Sequence, residues 1–214
     1  MKKILYFFIV FVLITGCAKG QNKEDIDKLC DSLDSMVFWG TMRPDTAMLE
    51  RALELSDYLL SVDTTNIGKR HYYQQRSMVL GSLGRIDESM VNAERAVITL
   101  HENNPLRLLF FSVKYLRENK KDSTDYYIEK TLSVCDSSLN EEYNEDMAIN
   151  KVKAIYLRDG ERKAKECLYE LLKNHHDSQM LKALYEDWDN WARMNNEELQ
   201  LLNIGVKNRF SLFQ

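Results

Sequence analysis

Glycine and proline are scarce in this chain, at eight and two of 214 residues. Sheet proteins turn often and use both residues to do so, so the shortage disfavours a β-sandwich or barrel. It also excludes collagen-like sequence and Gly- or Pro-rich linkers. There is no excess of positive charge. The formal net charge is −4, so the chain as a whole is not a nucleic-acid binder by electrostatics. Charged residues are 29% and apolar ones 44%, a balance that builds a core and argues against wholesale disorder. No CxxC pair and no Cys/His spacing suggests zinc. No phosphate-binding loop, GxSxG or HExxH appears. No catalytic residue, metal or cofactor is therefore expected, and the enzyme reading is set aside.

The one long apolar run is at the start. Met1-Lys2-Lys3 is basic, and Ile4 to Ile14 (ILYFFIVFVLI) is unbroken. Eleven residues are too few to span a bilayer as a helix, which takes roughly 20. They suit the apolar region of a secretory signal peptide. Ile14-Thr15-Gly16-Cys17 follows, an apolar residue, two small ones and a Cys. This stretch resembles a bacterial lipobox, where lipoprotein signal peptidase cuts before a diacylated Cys. The resemblance covers the first 17 residues and implies lipidation of Cys17 and a membrane anchor. At about 0.8 kcal/mol per buried CH₂, two or three acyl chains hold a protein stably. Loss of residues 1–16, which include Lys2 and Lys3, would take the formal charge from −4 to −6. Residues 17–22 then read as the acylated Cys and a short polar tether. No acidic residue lies within five positions after Cys17, a departure from the export signal of some Bacteroidetes lipoproteins. The expected address is the bacterial cell envelope, periplasm-facing or outer-membrane, with surface exposure unassigned.

From residue 23 to 214 the apolar spacing is mostly 3 and 4, the period of helices. Ile26, Leu29, Cys30, Leu33, Met36 and Val37 line a first helix, and Ala52, Leu55, Leu59 and Val62 a second, which Pro44 is expected to open. A polar break over 63–68 precedes a third helix over about 70–83, and a fourth covers about 86–100. Asn104-Pro105 reads as N-cap and first turn of a fifth. Ser123 is expected to cap the sixth and Asn144 the seventh. The eighth carries Ala164, Cys167, Leu168 and Leu171. Asp177 or Ser178 opens the ninth, with Leu181, Leu184, Trp188 and Trp191 on its stripe, and a short tenth is expected between 196 and 205.

Residues 70–105 resemble a tetratricopeptide repeat, a helix-turn-helix unit of about 34 residues. Gly84 matches the turn glycine. Tyr73, Ser77 and Leu80 match packing positions of the unit's first helix; Ser89, Ala93 and Ala96 match small positions of the second. Arg76 and Ser77 stand where the repeat has Leu-Gly, and Ser89 where it has Ala. Asn119 takes the place of Gly84 one period on, and Gly160 two longer periods on. The resemblance implies an all-α fold: a right-handed α-solenoid of about four degenerate helical hairpins with a C-terminal capping helix.

Such a solenoid binds a protein or peptide on its concave face. The repeat register puts His71, Gln74 and Met78 there, with Leu106, Leu109 and Val113 in the next unit. The bland alternative is that further helices cover these positions. Trp188 and Trp191 offer an aromatic contact patch, or else a cap on the last hairpin. Cys30, Cys135 and Cys167 sit on apolar stripes and read as small buried hydrophobes. His175-His176 at a helix C-terminus is explained by the helix dipole. The acidic groups at 141–146 and 186–189 lack the alternation of a calcium loop. The functional expectation is a lipid-anchored interaction or scaffolding module. A periplasmic immunity protein against a delivered toxin, or a subunit of an envelope assembly complex, would use the same parts.

Overall fold

The computed structural model describes residues 23–188, and among these every regular element is an α-helix. In chain order they are α1 (Lys23–Met42), α2 (Thr46–Val62), α3 (Asn66–Ser82), α4 (Ile86–Val97), α5 (Pro105–Arg117), α6 (Lys121–Glu141), α7 (Glu145–Asp159), α8 (Glu161–Asn174) and α9 (Gln179–Glu186). No helix among the described residues is long and apolar enough to cross a membrane. Cys17, Trp191 and the expected tenth helix lie outside the described residues.

Local chemistry fixes the helix starts. Asp45, Thr65, Asn104, Asn144 and Ser178 each stand at an N-cap, and their side-chain oxygens accept from Met48, Gly68, Leu106, Met147 and Leu181 amides. Three expected starts are corrected by this. Pro44 lies before the cap of α2, because Asp45 takes that role and the chain reaches helical geometry only at Thr46. Thr65 starts α3 at Asn66, so the polar break is 63–65 and not 63–68. Ser123 lies inside α6, whose first residue is Lys121.

Two hairpin turns share one hydrogen-bond pattern. The Gly84 amide donates to Gly81 O and the Arg85 amide to Leu80 O, at 3.1 and 2.8 Å. Thirty-five residues on, Asn119 donates to Leu116 O and Lys120 to Tyr115 O, at 3.1 and 2.9 Å. Both turns need a residue with positive φ, which Gly84 supplies at 75° and Asn119 at 56°. Asn119 is the one non-glycine in that region among the described residues, and asparagine is the side chain best suited to it. Ser77 and Ser112, Ser89 and Thr124, and Ala96 and Thr131 are buried at the same offset. The α7–α8 connection is Gly160 alone, at φ 83°.

Side-chain contacts give the helix directions. Asp57 pairs with Arg76 and Asp63 with Tyr72, so α2 and α3 run antiparallel. Ser77 with Ser89 and Tyr73 with Arg95 do the same for α3 and α4. Glu129 with Arg158 and Asp136 with Lys151 do so for α6 and α7. Cys30 meets Tyr72 and Asp34 meets Gln75, so α1 and α3 run parallel, one hairpin apart. Among the described residues the core divides into separate clusters. One joins α1, α2 and α3 (Leu33, Val37, Leu59, Tyr72, Leu80); another joins α7, α8 and α9 (Val152, Leu168, Leu181, Trp188). Between them lie Ala93 with Phe110, and Leu109 with Ile128, Leu132 and Ala154.

Candidate partner-binding surface

Of the six residues placed by register on one binding wall, the structure leaves two without access to a partner. Leu109 and Val113 are 0% exposed. Leu109 packs on Ile128, Leu132 and Ala154, inside the contact of α5 with α6 and α7. The reason is legible in α5 itself. Leu108, Leu109, Phe110, Ser112 and Val113 are all buried, so the helix is enclosed around most of its circumference and has no broad polar face. Leu106, in its first turn, is 48% exposed.

On α3 the expected face is partly free. Gln74 is exposed, while His71 and Met78 are half-buried. His71 Nε2 lies 2.9 Å from Asp34 Oδ1, and Gln75 Nε2 donates to the same oxygen at 2.7 Å. Asp34 thus draws two side chains of α3 toward α1, which narrows any wall there. Met78 packs against the cluster shared by α1 and α3. The expected buried partner of this face was one residue off. Tyr72 is buried, and Tyr73 is only half-buried beneath the Arg95 guanidinium. Adjacent tyrosines leave the helical phase ambiguous by 100°, and tertiary contact resolves it.

Tyr72 is the centre of a polar knot. Its hydroxyl donates to Asp63 Oδ2 at 2.8 Å, so the 3.2 Å contact with Cys30 is the thiol donating to the phenol oxygen. Burial, the Cys30 bond and the Asp63 bond together push the phenol well above its ordinary pKa, so it stays protonated. Desolvation raises Asp63, but the Thr65 amide and hydroxyl and the Tyr72 hydroxyl outweigh it and hold the carboxyl below its usual range. The Thr65 amide bond is 2.8 Å. Cys–Tyr–Asp here is a structural tie between α1, α3 and the end of α2: its phenol is held neutral and its carboxylate is engaged.

A second aromatic group lies between α5 and α6. Phe111, Tyr115 and Tyr127 stack with near-parallel rings, 5.3 to 6.2 Å between centroids. The Lys114 and Lys120 ammonium groups sit over Phe111 and Tyr115, and Lys114 also pairs with Glu94 of α4 at 2.7 Å. Sequence reading passed over this stack because its three rings come from two helices. Trp188 is 1% exposed within the α7–α9 cluster, which fits a cap and not a contact patch.

The remaining candidates have local roles. His175 ends α8 and stacks on Tyr143 at 3.6 Å between centroids. His101 Nδ1 accepts from the Asn103 amide. Glu145 accepts from Ser178, linking α7 to the start of α9. Among the described residues no three His, Cys, Asp or Glu side chains converge as metal ligands. Cys30, Cys135 and Cys167 are unpaired thiols; burial pushes Cys135, the deepest, up to about 12. No protein family, curated protein or solved structure matches the chain.

Proposed function

We propose that this chain is a cell-envelope lipoprotein, exported by residues 1–16, acylated at Cys17, and serving as a protein–protein interaction or scaffolding module. The observation that carries the reading is the order basic start, eleven-residue apolar run, Ile14-Thr15-Gly16-Cys17, followed by a wholly helical set of hairpins. The repeated turn at Gly84 and Asn119 and the buried small residues at the same offset support a tetratricopeptide-like α-solenoid. Such a stack presents long helix faces and carries out recognition by shape and side-chain contact.

In this reading the partner surface is centred on exposed Gln74, flanked by His71 and Met78 of α3. Leu109 and Val113 belong to the core and are withdrawn from it. The test is a photo-crosslinking amino acid at position 74 in intact envelopes, with the same group at exposed Glu54 as control. A discrete crosslinked protein at 74 and none at 54 is the expected result. Identical products at both positions, or none at 74, would contradict this placement.

A further inference from the structure

Six aliphatic side chains are conspicuously exposed among the described residues: Val62, Ile67, Val91, Ile98, Leu106 and Met180. Five of them sit at a helix end. Val62 is the last residue of α2, Ile98 caps the C-terminus of α4, and Ile67, Leu106 and Met180 are the second residues of α3, α5 and α9. Because chain-adjacent helices run antiparallel, the starts of α1, α3 and α5 and the ends of α2 and α4 lie at one end of the hairpins. The Cys30–Tyr72 contact sets the level. Lys23 lies seven residues before Cys30 and Asn66 six before Tyr72, so each helix start is about 10 Å beyond the contact. The chain therefore enters the fold at the end where Ile67 is 74% and Ile98 50% exposed. The turns at the other end carry Asp45, Arg85, Glu118 and Lys120, and Asp159 ends α7 there; exposed Phe38 and Trp39 lie toward that end, about one turn before the C-terminus of α1.

We propose that this end is a membrane-facing edge: Val62, Ile67, Ile98 and Leu106 seat the first three hairpins on the headgroup region of the bilayer that holds Cys17. The inference rests on acylation of Cys17. The tether decides the occupant. Cys17 is six residues from Lys23, which extends no more than about 20 Å, so the anchored domain cannot move its entry end far from the lipid. Aliphatic side chains held at that distance gain by entering the interface, and they do so without a specific partner. Charge contributes little, because Lys23, Lys69, Arg70 and Arg107 are offset there by Glu24, Asp25, Asp63 and Glu102. The docked state is thus an apolar one, insensitive to salt.

Amide hydrogen exchange on the full acylated chain, reconstituted in phosphatidylethanolamine vesicles, tests this against an Ile67→Asp, Ile98→Asp, Leu106→Asp triple variant. All three sites are exposed, and unchanged exchange across Tyr72 to Leu80 verifies that the variant is folded. The expected result is several-fold slower exchange over 62–68 and 98–107 in the wild type than in the variant, with 83–86 and 118–121 alike in both. Equal exchange over 62–68 and 98–107 in acylated samples would overturn the docking edge and leave the anchor standing. An intact mass without acyl chains would overturn the anchor and the edge together.

Discussion

Ser77 and Ser89 hold α3 and α4 together by exchanging hydrogen bonds across the hairpin. The Ser89 hydroxyl donates to Ser77 O at 2.6 Å, and the Ser77 hydroxyl donates to Ser89 O at 3.0 Å. Both side chains are buried, and their small size lets the two backbones approach. Ser89→Ala removes one of the two bonds and should cost about 1 kcal/mol in a denaturant melt. Ser89→Leu must also find space at the contact and should cost about 1–3 kcal/mol. A leucine variant as stable as the alanine one would mean that the helices are not in close contact here.

Ala96, two turns further along the same stripe, is buried where α4 meets its neighbours. Ala96→Leu should destabilise by about 1–3 kcal/mol through overpacking. Exposed Val91 is the proper control, and Val91→Leu should change stability by less than about 0.5 kcal/mol. Neighbouring Asn92 would not serve, because it is buried, with Nδ2 donating to Glu88 O at 2.8 Å. Equal melting temperatures for the Ala96 and Val91 variants would contradict the observed packing of α4.

The Asp63 knot makes stability depend on acid pH. The folded-state pKa of Asp63 is depressed, so its contribution is present above the unfolded-state value near 3.8 and is lost as pH falls through the lower folded value. Wild type should therefore exceed Asp63→Asn in stability at pH 7, and the gap should narrow as pH falls below 3.8. Gly68 belongs to the same feature, because a Cβ there would lie 1.8 Å from Asp63 Oδ2. Gly68→Ala should displace the carboxylate and mimic Asp63→Asn. A gap that persists unchanged at low pH would show that the carboxylate charge is not what the knot uses.

Leu109 and Gln74 separate core from surface. Leu109→Arg places an unpaired charge at a fully buried site and should cost on the order of 4 kcal/mol or prevent folding. Gln74→Arg, at an exposed site, should melt like wild type while weakening co-purification of the partner from envelopes. A folded Leu109→Arg protein by circular dichroism would return that residue to the surface.

The all-helical character and several helix starts are legible in the sequence, because helical periodicity and capping are local. Asn104-Pro105, Asn144 and Ser178 mark helix starts where the structure has them, and Asn119 takes the left-handed turn that its offset from Gly84 suggests. The errors are those that need a third helix to resolve. Leu109 and Val113 satisfy a surface register, but α5 is flanked on several sides by α4, α6 and α7, and those contacts are non-local. Tyr72 and Tyr73 offer the core equivalent rings, and the choice falls to Asp63, nine residues before Tyr72, and to Cys30, forty-two before it on α1. The Phe111–Tyr115–Tyr127 stack needs only α5 and α6, but its rings meet across the hairpin and not along one helix.

The central claim is that a helical interaction domain is tied to a membrane through Cys17, and the intact mass of the full chain recovered from bacterial envelopes tests it most directly. The account predicts a mature protein that begins at Cys17 and carries acyl chains, and a Cys17→Ser variant that retains residues 1–16 without them. A wild-type mass that retains residues 1–16, or one that begins at another residue and bears no lipid, would contradict it.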